Sequence, residues 1–212
     1  MKTTIEEKIS AGRQYRSMSV RLASSNEEEK NYKVRGYATT FNEPYTLYED
    51  DELRIDEQVD PSAFNECDMS DVIMQYDHEG KVYARTRNNT LNLTVDDKGL
   101  LIEADLGGTE IGRQLYEEIK GGYIDRMSFG FHVDEDKRLE EKNVILRTIT
   151  KIDKLYDVSA VSLPANDGTS ISARSFCEGV IAEMEAERLL IQQEEERKRK
   201  LRLQLQLMEV NK

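Results

Sequence analysis

From Lys33 onward the chain alternates apolar and polar positions in short runs. Val34 to Phe41, Leu53 to Val59, Val72 to Tyr76, Thr90 to Asp96, Leu100 to Leu106, Tyr123 to Val133, Asn143 to Thr150 and Ile152 to Leu163 are predicted strands. Asp97, Lys98 and Gly99 separate two alternating runs and predict a hairpin turn. Two helices interrupt the series. Asp60 before Pro61 predicts an N-cap and a first-turn proline, opening a short helix through Ala63 and Phe64. Thr109 is positioned to cap a longer helix, with Ile111, Leu115 and Ile119 on one face and Gly121 and Gly122 as its stop. Many short strands with few helices predict a mainly β domain with peripheral helices, built as a barrel or sandwich.

The two ends do not follow this pattern. Residues 1–31 hold a short apolar patch, Met18 to Leu22, and then the polar run Ser24 to Asn31, so they read as an arm ahead of a folded domain spanning 32–174. Residues 175–212 form a charge-dense, helix-forming tail in which Glu194 to Glu196 run directly into Arg197 to Lys200. Two readings of it stand: a docking element or a solvated helix. Its last stretch, Leu201 to Leu207, alternates with period two and is compatible with either an extended segment or the end of the helix.

Composition narrows the function classes. The chain has 212 residues, 38% hydrophobic and 34% charged, which fits one domain whose charge is concentrated outside the core. A net charge of −12 opposes binding to a nucleic-acid backbone. No apolar run reaches the roughly 18 residues of a membrane helix, and no signal-peptide pattern opens the chain, so a soluble protein of the cytoplasm is expected. Cys67 and Cys177 sit in no CxxC or Cys/His pattern, which indicates neither a disulfide framework nor a zinc site. Glu49 to Glu52 and Asp134 to Asp136 lack the spacing of a calcium loop and read as solvated loops. Neither Gly107-Gly108 nor Gly121-Gly122 makes a phosphate-binding pattern.

Candidate chemistry rests on a few residues. His78 follows a predicted strand in Tyr76-Asp-His-Glu-Gly80, either as an exposed loop histidine or as a general base. In the strand from Tyr123, Met127, Phe129, Phe131 and Val133 alternate with Ser128, Gly130 and His132, so Ser128 points away from the apolar face. It is either a plain strand serine or a rigidly held nucleophile with Gly130 leaving space beside it. His132 shares that face, but two strand steps put its backbone roughly 13 Å from Ser128 along a regular rise, which makes it a poor partner. Asp157 interrupts an otherwise apolar or small run, Leu155 to Asn166, and burying a carboxylate there requires a partner. That partner is either structural or functional.

Taken in order, Gly36 to Phe41, Glu57 to Phe64, Asp77-His78, Thr90 to Leu93, Asp97 to Leu100, Gly122 through Met127-Ser-Phe-Gly-Phe131, and Leu155-Tyr-Asp-Val-Ser159 with Pro164-Ala-Asn166 resemble the prohead protease family of tailed bacteriophages. The resemblance covers about residues 33–172, and the serine block and the Leu-x-acid-Val-Ser block are its most specific parts. It implies a herpesvirus-assemblin-like fold, a compact β-barrel ringed by helices. It also implies a catalytic set of His78 as base, Ser128 as nucleophile and Asp157 as third member, where many relatives carry glutamate. By the same likeness the oxyanion donors fall at Ala165 and Asn166. No metal or organic cofactor is called for.

The implied substrates are the scaffolding portion of the major capsid protein, other proteins enclosed in the immature shell, and the protease itself; the implied location is the assembling prohead in the host cytoplasm. Partners of other kinds, nucleic acid or membrane, are not expected. The main alternative is a non-catalytic scaffold or assembly protein built on the same barrel, which would be expected to have lost the serine or the histidine. A carboxylate-pair hydrolase is the other, and no acidic pair stands out for it.

Overall fold

A computed structural model describes residues 12–18, 23–24, 32–162 and 171–210. Its strands are β1 (Gln14–Met18), β2 (Ala23–Ser24), β3 (Lys33–Thr40), β4 (Tyr45–Glu49), β5 (Arg54–Val59), β6 (Ile73–Tyr76), β7 (Glu79–Arg85), β8 (Leu91–Val95), β9 (Gly99–Asp105), β10 (Arg126–Glu141) and β11 (Val144–Val161). Two α-helices accompany them, α1 (Glu110–Lys120) and α2 (Ile171–Val210). The chain divides into two compact units, Met1–Arg174 and Ser175–Lys212.

In the first unit the larger sheet has seven strands in the order β1-β10-β11-β5-β4, with β6 on β11 and β7 on β6. The smaller has four, in the order β2-β3-β9-β8. Strand β11 organises the larger one. It runs antiparallel to β10, parallel to β5 from Val144 to Ile149, and parallel to β6 from Asp157 to Ala160. The sequence pattern breaks near Lys151, and the structure shows one continuous strand there that changes its neighbour instead. Asp68 bridges the gap between β5 and β6 by pairing with Lys154.

Neither sheet closes on itself among the described residues, so the closed barrel ringed by helices is corrected to two sheets with few helices. The reason lies in how the backbone edges are used. Strand β3 commits its edges to β9 and, at Val34 and Arg35, to β2. It meets the larger sheet through side chains, with Val34 and Ala38 in one core with Met127, Phe129 and Phe131. Leu115, Tyr116 and Ile119 bring the buried face of α1 to this core.

The longer predicted helix forms as expected, with the Thr109 hydroxyl accepting from Gly112 N at 3.0 Å. The Asp97-Lys-Gly hairpin also forms, with Asp96 Oδ1 accepting from Lys98 N and Gly99 N. The short helix after Asp60 does not. Asp60 accepts from Ser62 N as a cap would, but the following bonds, Asn65 N to Ser62 O and Cys67 N to Phe64 O, are i→i+3 and close successive turns only.

Asp134 to Asp136 lie inside β10 and are strand positions, not a loop, whereas of Glu49 to Glu52 only Glu49 ends β4 and Asp50 to Glu52 form the exposed loop before β5. Within the segment that reads as an arm, Gln14–Met18 is an edge strand of the larger sheet. The α2 backbone continues through Leu201 to Leu207. Leu, Arg and Gln all favour helix, which outweighs the two-residue alternation there. No described helix is long and apolar enough to cross a membrane.

Candidate active site

His78 is presented by a tight hairpin. Tyr76 pairs with Glu79 across the β6–β7 turn, leaving Asp77 and His78 as its two central residues, with φ of 47° and 59°. Positive φ at both positions is the I′ hairpin geometry that usually takes Asn-Gly, and Asp and His are among the few non-glycine residues that adopt it readily. The strain is offset locally. Asp77 N donates to Ala160 O at 3.0 Å, and the Asp77 carboxylate accepts from Ser162 N at 2.9 Å and from the Ser162 hydroxyl. The turn is thereby tied to the end of β11, and the imidazole lies against the β10–β11 pair.

Ser128 and Asp157 come from that pair. The register sets Ser128 opposite Ser159 and Gly130 opposite Asp157, so alternation puts all four on one face. The imidazole joins the other two functional groups. His78 Nδ1 lies 2.5 Å from Asp157 Oδ1, and His78 Nε2 lies 2.6 Å from Ser128 Oγ. With the Nδ1 proton donated to the carboxylate, Nε2 is left as acceptor for the serine hydroxyl. An aspartate at this position reaches the imidazole without difficulty.

Burial alone would raise the Asp157 pKa, but the His78 charge and hydrogen bond, the Ser159 hydroxyl and the Arg13 charge outweigh it. The carboxyl is held below its ordinary value of 3.8. Ser159 Oγ donates to Asp157 Oδ1 at 2.9 Å, and Arg13 Nη1 stands 3.5 Å from Oδ2. Gly130 makes room for this carboxylate: a Cβ there would lie 2.4 Å from Asp157 Oδ2. The space beside Ser128 that the sequence suggests is therefore filled by Asp157 and by Tyr15.

Strand β1 is the part that hydrophobic patterning misses. It pairs antiparallel with β10 from Gln14–Phe131 to Met18–Met127. The strand and the residue before it reach the same constellation: the Tyr15 ring lies 4.3 Å from the His78 ring, and Arg13, just ahead of β1, stacks on Tyr156 while facing Asp157. Burial, and then the Asp157 charge, push the Tyr15 phenol up to about 12. Arg16 is anchored in a buried ionic cluster. Its Nη2 donates to Glu57 Oε2 at 3.0 Å, its Nε also pairs with Glu57, and Arg147 Nη1 donates to the same Oε2 at 2.7 Å. Burial would raise Glu57, but Arg16, and with it Arg147 and Tyr45, keeps this carboxyl below its ordinary 4.5.

His132 stays apart from the constellation and pairs with Asp153 at 2.9 Å. Burial pushes the Cys67 thiol up to about 12, which opposes its thiolate form. Ala165 and Asn166 lie outside the described residues. A polarisable row of carboxylate, imidazole and hydroxyl is the arrangement that generates an alkoxide-like nucleophile and returns the proton to a leaving group. A family model described as caudovirus prohead serine protease matches residues 18–183. No curated protein and no solved structure matches the chain.

Proposed function

Because the chain belongs to the caudovirus prohead serine protease family, we propose that it is an endopeptidase of capsid maturation in which Ser128 is the nucleophile, His78 the general base and Asp157 the residue that orients and charges the imidazole. The observation that carries this reading is the unbroken row of short hydrogen bonds from Asp157 through His78 to Ser128. In the first half-reaction Ser128 Oγ attacks the scissile carbonyl as His78 Nε2 takes its proton. The imidazolium, stabilised by Asp157, then gives that proton to the leaving amine. Water, deprotonated by the same nitrogen, releases the acyl group. The backbone at Ala165 and Asn166 is assigned the oxyanion donors.

The substrates assigned to this site are the scaffolding portion of the major capsid protein and the enzyme's own chain, cut inside the assembling prohead. The helix beyond Arg174 is assigned to an appendage outside the catalytic unit. Co-expression of the chain with the capsid subunit it matures tests the reading. Wild type should shorten that subunit, and Ser128→Ala should leave it full length in a protein with an unchanged melting curve. Equal processing by both would exclude Ser128.

A further inference from the structure

A nucleophilic serine has to meet a peptide carbonyl, yet Ser128 is 0% exposed. Strand β1 lies along the edge of β10 that would otherwise be open, with Ser17 opposite Ser128 and Arg16 opposite Phe129. The Arg16 carbonyl accepts a hydrogen bond from Ser128 Oγ at 2.9 Å. A second contact covers the histidine, where Tyr15 packs on the ring, and a third reaches the acid through Arg13.

We infer that Gln14–Met18 stands in for a substrate strand, and that it must leave the edge of β10 before an extended peptide can pair there and reach Ser128. This rests on the assignment of Ser128 as nucleophile. An open strand edge binds an extended peptide through main-chain bonds, the mode by which strand addition works generally. Here that place is taken by the chain's own segment, running antiparallel and passing a main-chain carbonyl directly by the nucleophile.

The carbonyl is held in an unreactive pose. Ser128 Oγ is directed at the Arg16 oxygen as a hydrogen-bond donor, whereas attack requires it above the carbonyl carbon with its proton on His78. The hydroxyl has one proton and two acceptors, His78 Nε2 and Arg16 O, so the bond to Arg16 competes with the activating one. Anchorage comes from the buried pairing of Arg16 with Glu57, which fixes the strand's register. A further observation fits a segment added onto a complete enzyme: the family match begins at residue 18, so all but the last residue of β1 lies outside it.

The test is the rate at which a serine-reactive phosphonate labels Ser128 in the full chain, read by peptide mass spectrometry, beside the melting curve. Two variants loosen β1 in different ways. Arg16→Ala removes the anchor, and Ser17→Pro installs a residue that cannot donate to the ladder. Each folded variant should label at least about tenfold faster than wild type, the change expected if the covered state loses a strand's worth of pairing. A synthetic peptide spanning Gly12 to Met18 should return the Arg16→Ala rate toward that of wild type.

Equal labelling in folded variants overturns the inference, as does acceleration that the peptide does not reverse. So does loss of the cooperative transition in both variants, because a strand that leaves cannot be required for the fold. Failure of the underlying assignment looks different, since no form would then carry an adduct on Ser128.

Discussion

Replacing Gly130 by alanine is the sharpest structural perturbation of the site that leaves Ser128, His78 and Asp157 themselves unreplaced. The added Cβ would stand 2.4 Å from Asp157 Oδ2, 3.1 Å from its Cγ and 2.7 Å from Tyr15 Cε1, whereas ordinary contact begins at 3.4 Å. The carboxylate must therefore retreat by about 1 Å, a displacement that can cost on the order of 10²-fold in rate when reacting groups depend on it. That retreat opens the 2.5 Å bond to His78 Nδ1. Loss of the acid altogether sets the ceiling, about 10⁴-fold in a comparable enzyme. Overpacking in a filled interior adds about 1–3 kcal/mol of destabilisation. Gly108→Ala is the matched control, because a Cβ at that position meets nothing within 4 Å. The readouts are kcat/KM on a short peptide and the thermal transition. A Gly130→Ala protein that melts like wild type and cleaves within threefold of it would refute the claim that this close approach positions Asp157.

The two histidines separate cleanly: His78→Ala should abolish peptide hydrolysis, and His132→Ala, which loses only the exposed pair with Asp153, should retain most of it. Asp157→Asn should lower the rate by about 10³–10⁴-fold, because an amide neither stabilises the imidazolium nor enforces the tautomer; a rate near wild type would make Asp157 purely structural. Glu57 has a depressed pKa in the folded protein, so its contribution is present above the ordinary 4.5 and is lost as pH falls through the folded value. Glu57→Gln should cost about 3–5 kcal/mol at neutral pH by taking the shared carboxylate from Arg16 and from Arg147, which keeps its pair with Asp136, and the penalty should shrink as pH falls through the folded value. Melting temperatures measured across the acid range check the sign; a constant penalty would contradict it.

Most of the body was legible because its strands bury apolar side chains at every second position. Met127, Phe129 and Phe131 face the core, and that fixes Ser128 and Gly130 on the other side. Asp157 was legible for a different reason: a carboxylate inside an apolar run demands a partner, and the fold supplies His78. Strand β1 was hidden because two of its buried side chains are Tyr15 and Arg16, and a buried arginine is invisible to hydrophobic patterning until its distant partner, Glu57, is known. Strand β7 was hidden by exposure, since Glu79 to Val82 face solvent and carry no alternation. The run of short strands left barrel and sandwich both open, and the resemblance chose the closed barrel. Pairing of β3 with β9 and β2, a long-range choice, is not written in any local run of residues.

The face of Ser128 opposite the core was open to two readings, a solvated strand serine or a held nucleophile. The structure removes solvent from Ser128 itself, because His78 and β1 both cover it. Sequence spacing could place Asp77-His78 at a strand end. It could not give the two positive φ angles or the Asp77–Ser162 bonds that aim the imidazole.

The central claim, that Ser128 is activated through His78 by Asp157, is tested most directly by mapping the adduct of a serine-reactive phosphonate on the full-length chain. One modified peptide is expected, carrying the adduct on Ser128, with loss of that adduct in the folded His78→Ala variant. An adduct that persists undiminished without His78, or one found on another serine in a protein that still cleaves its substrate, would contradict it.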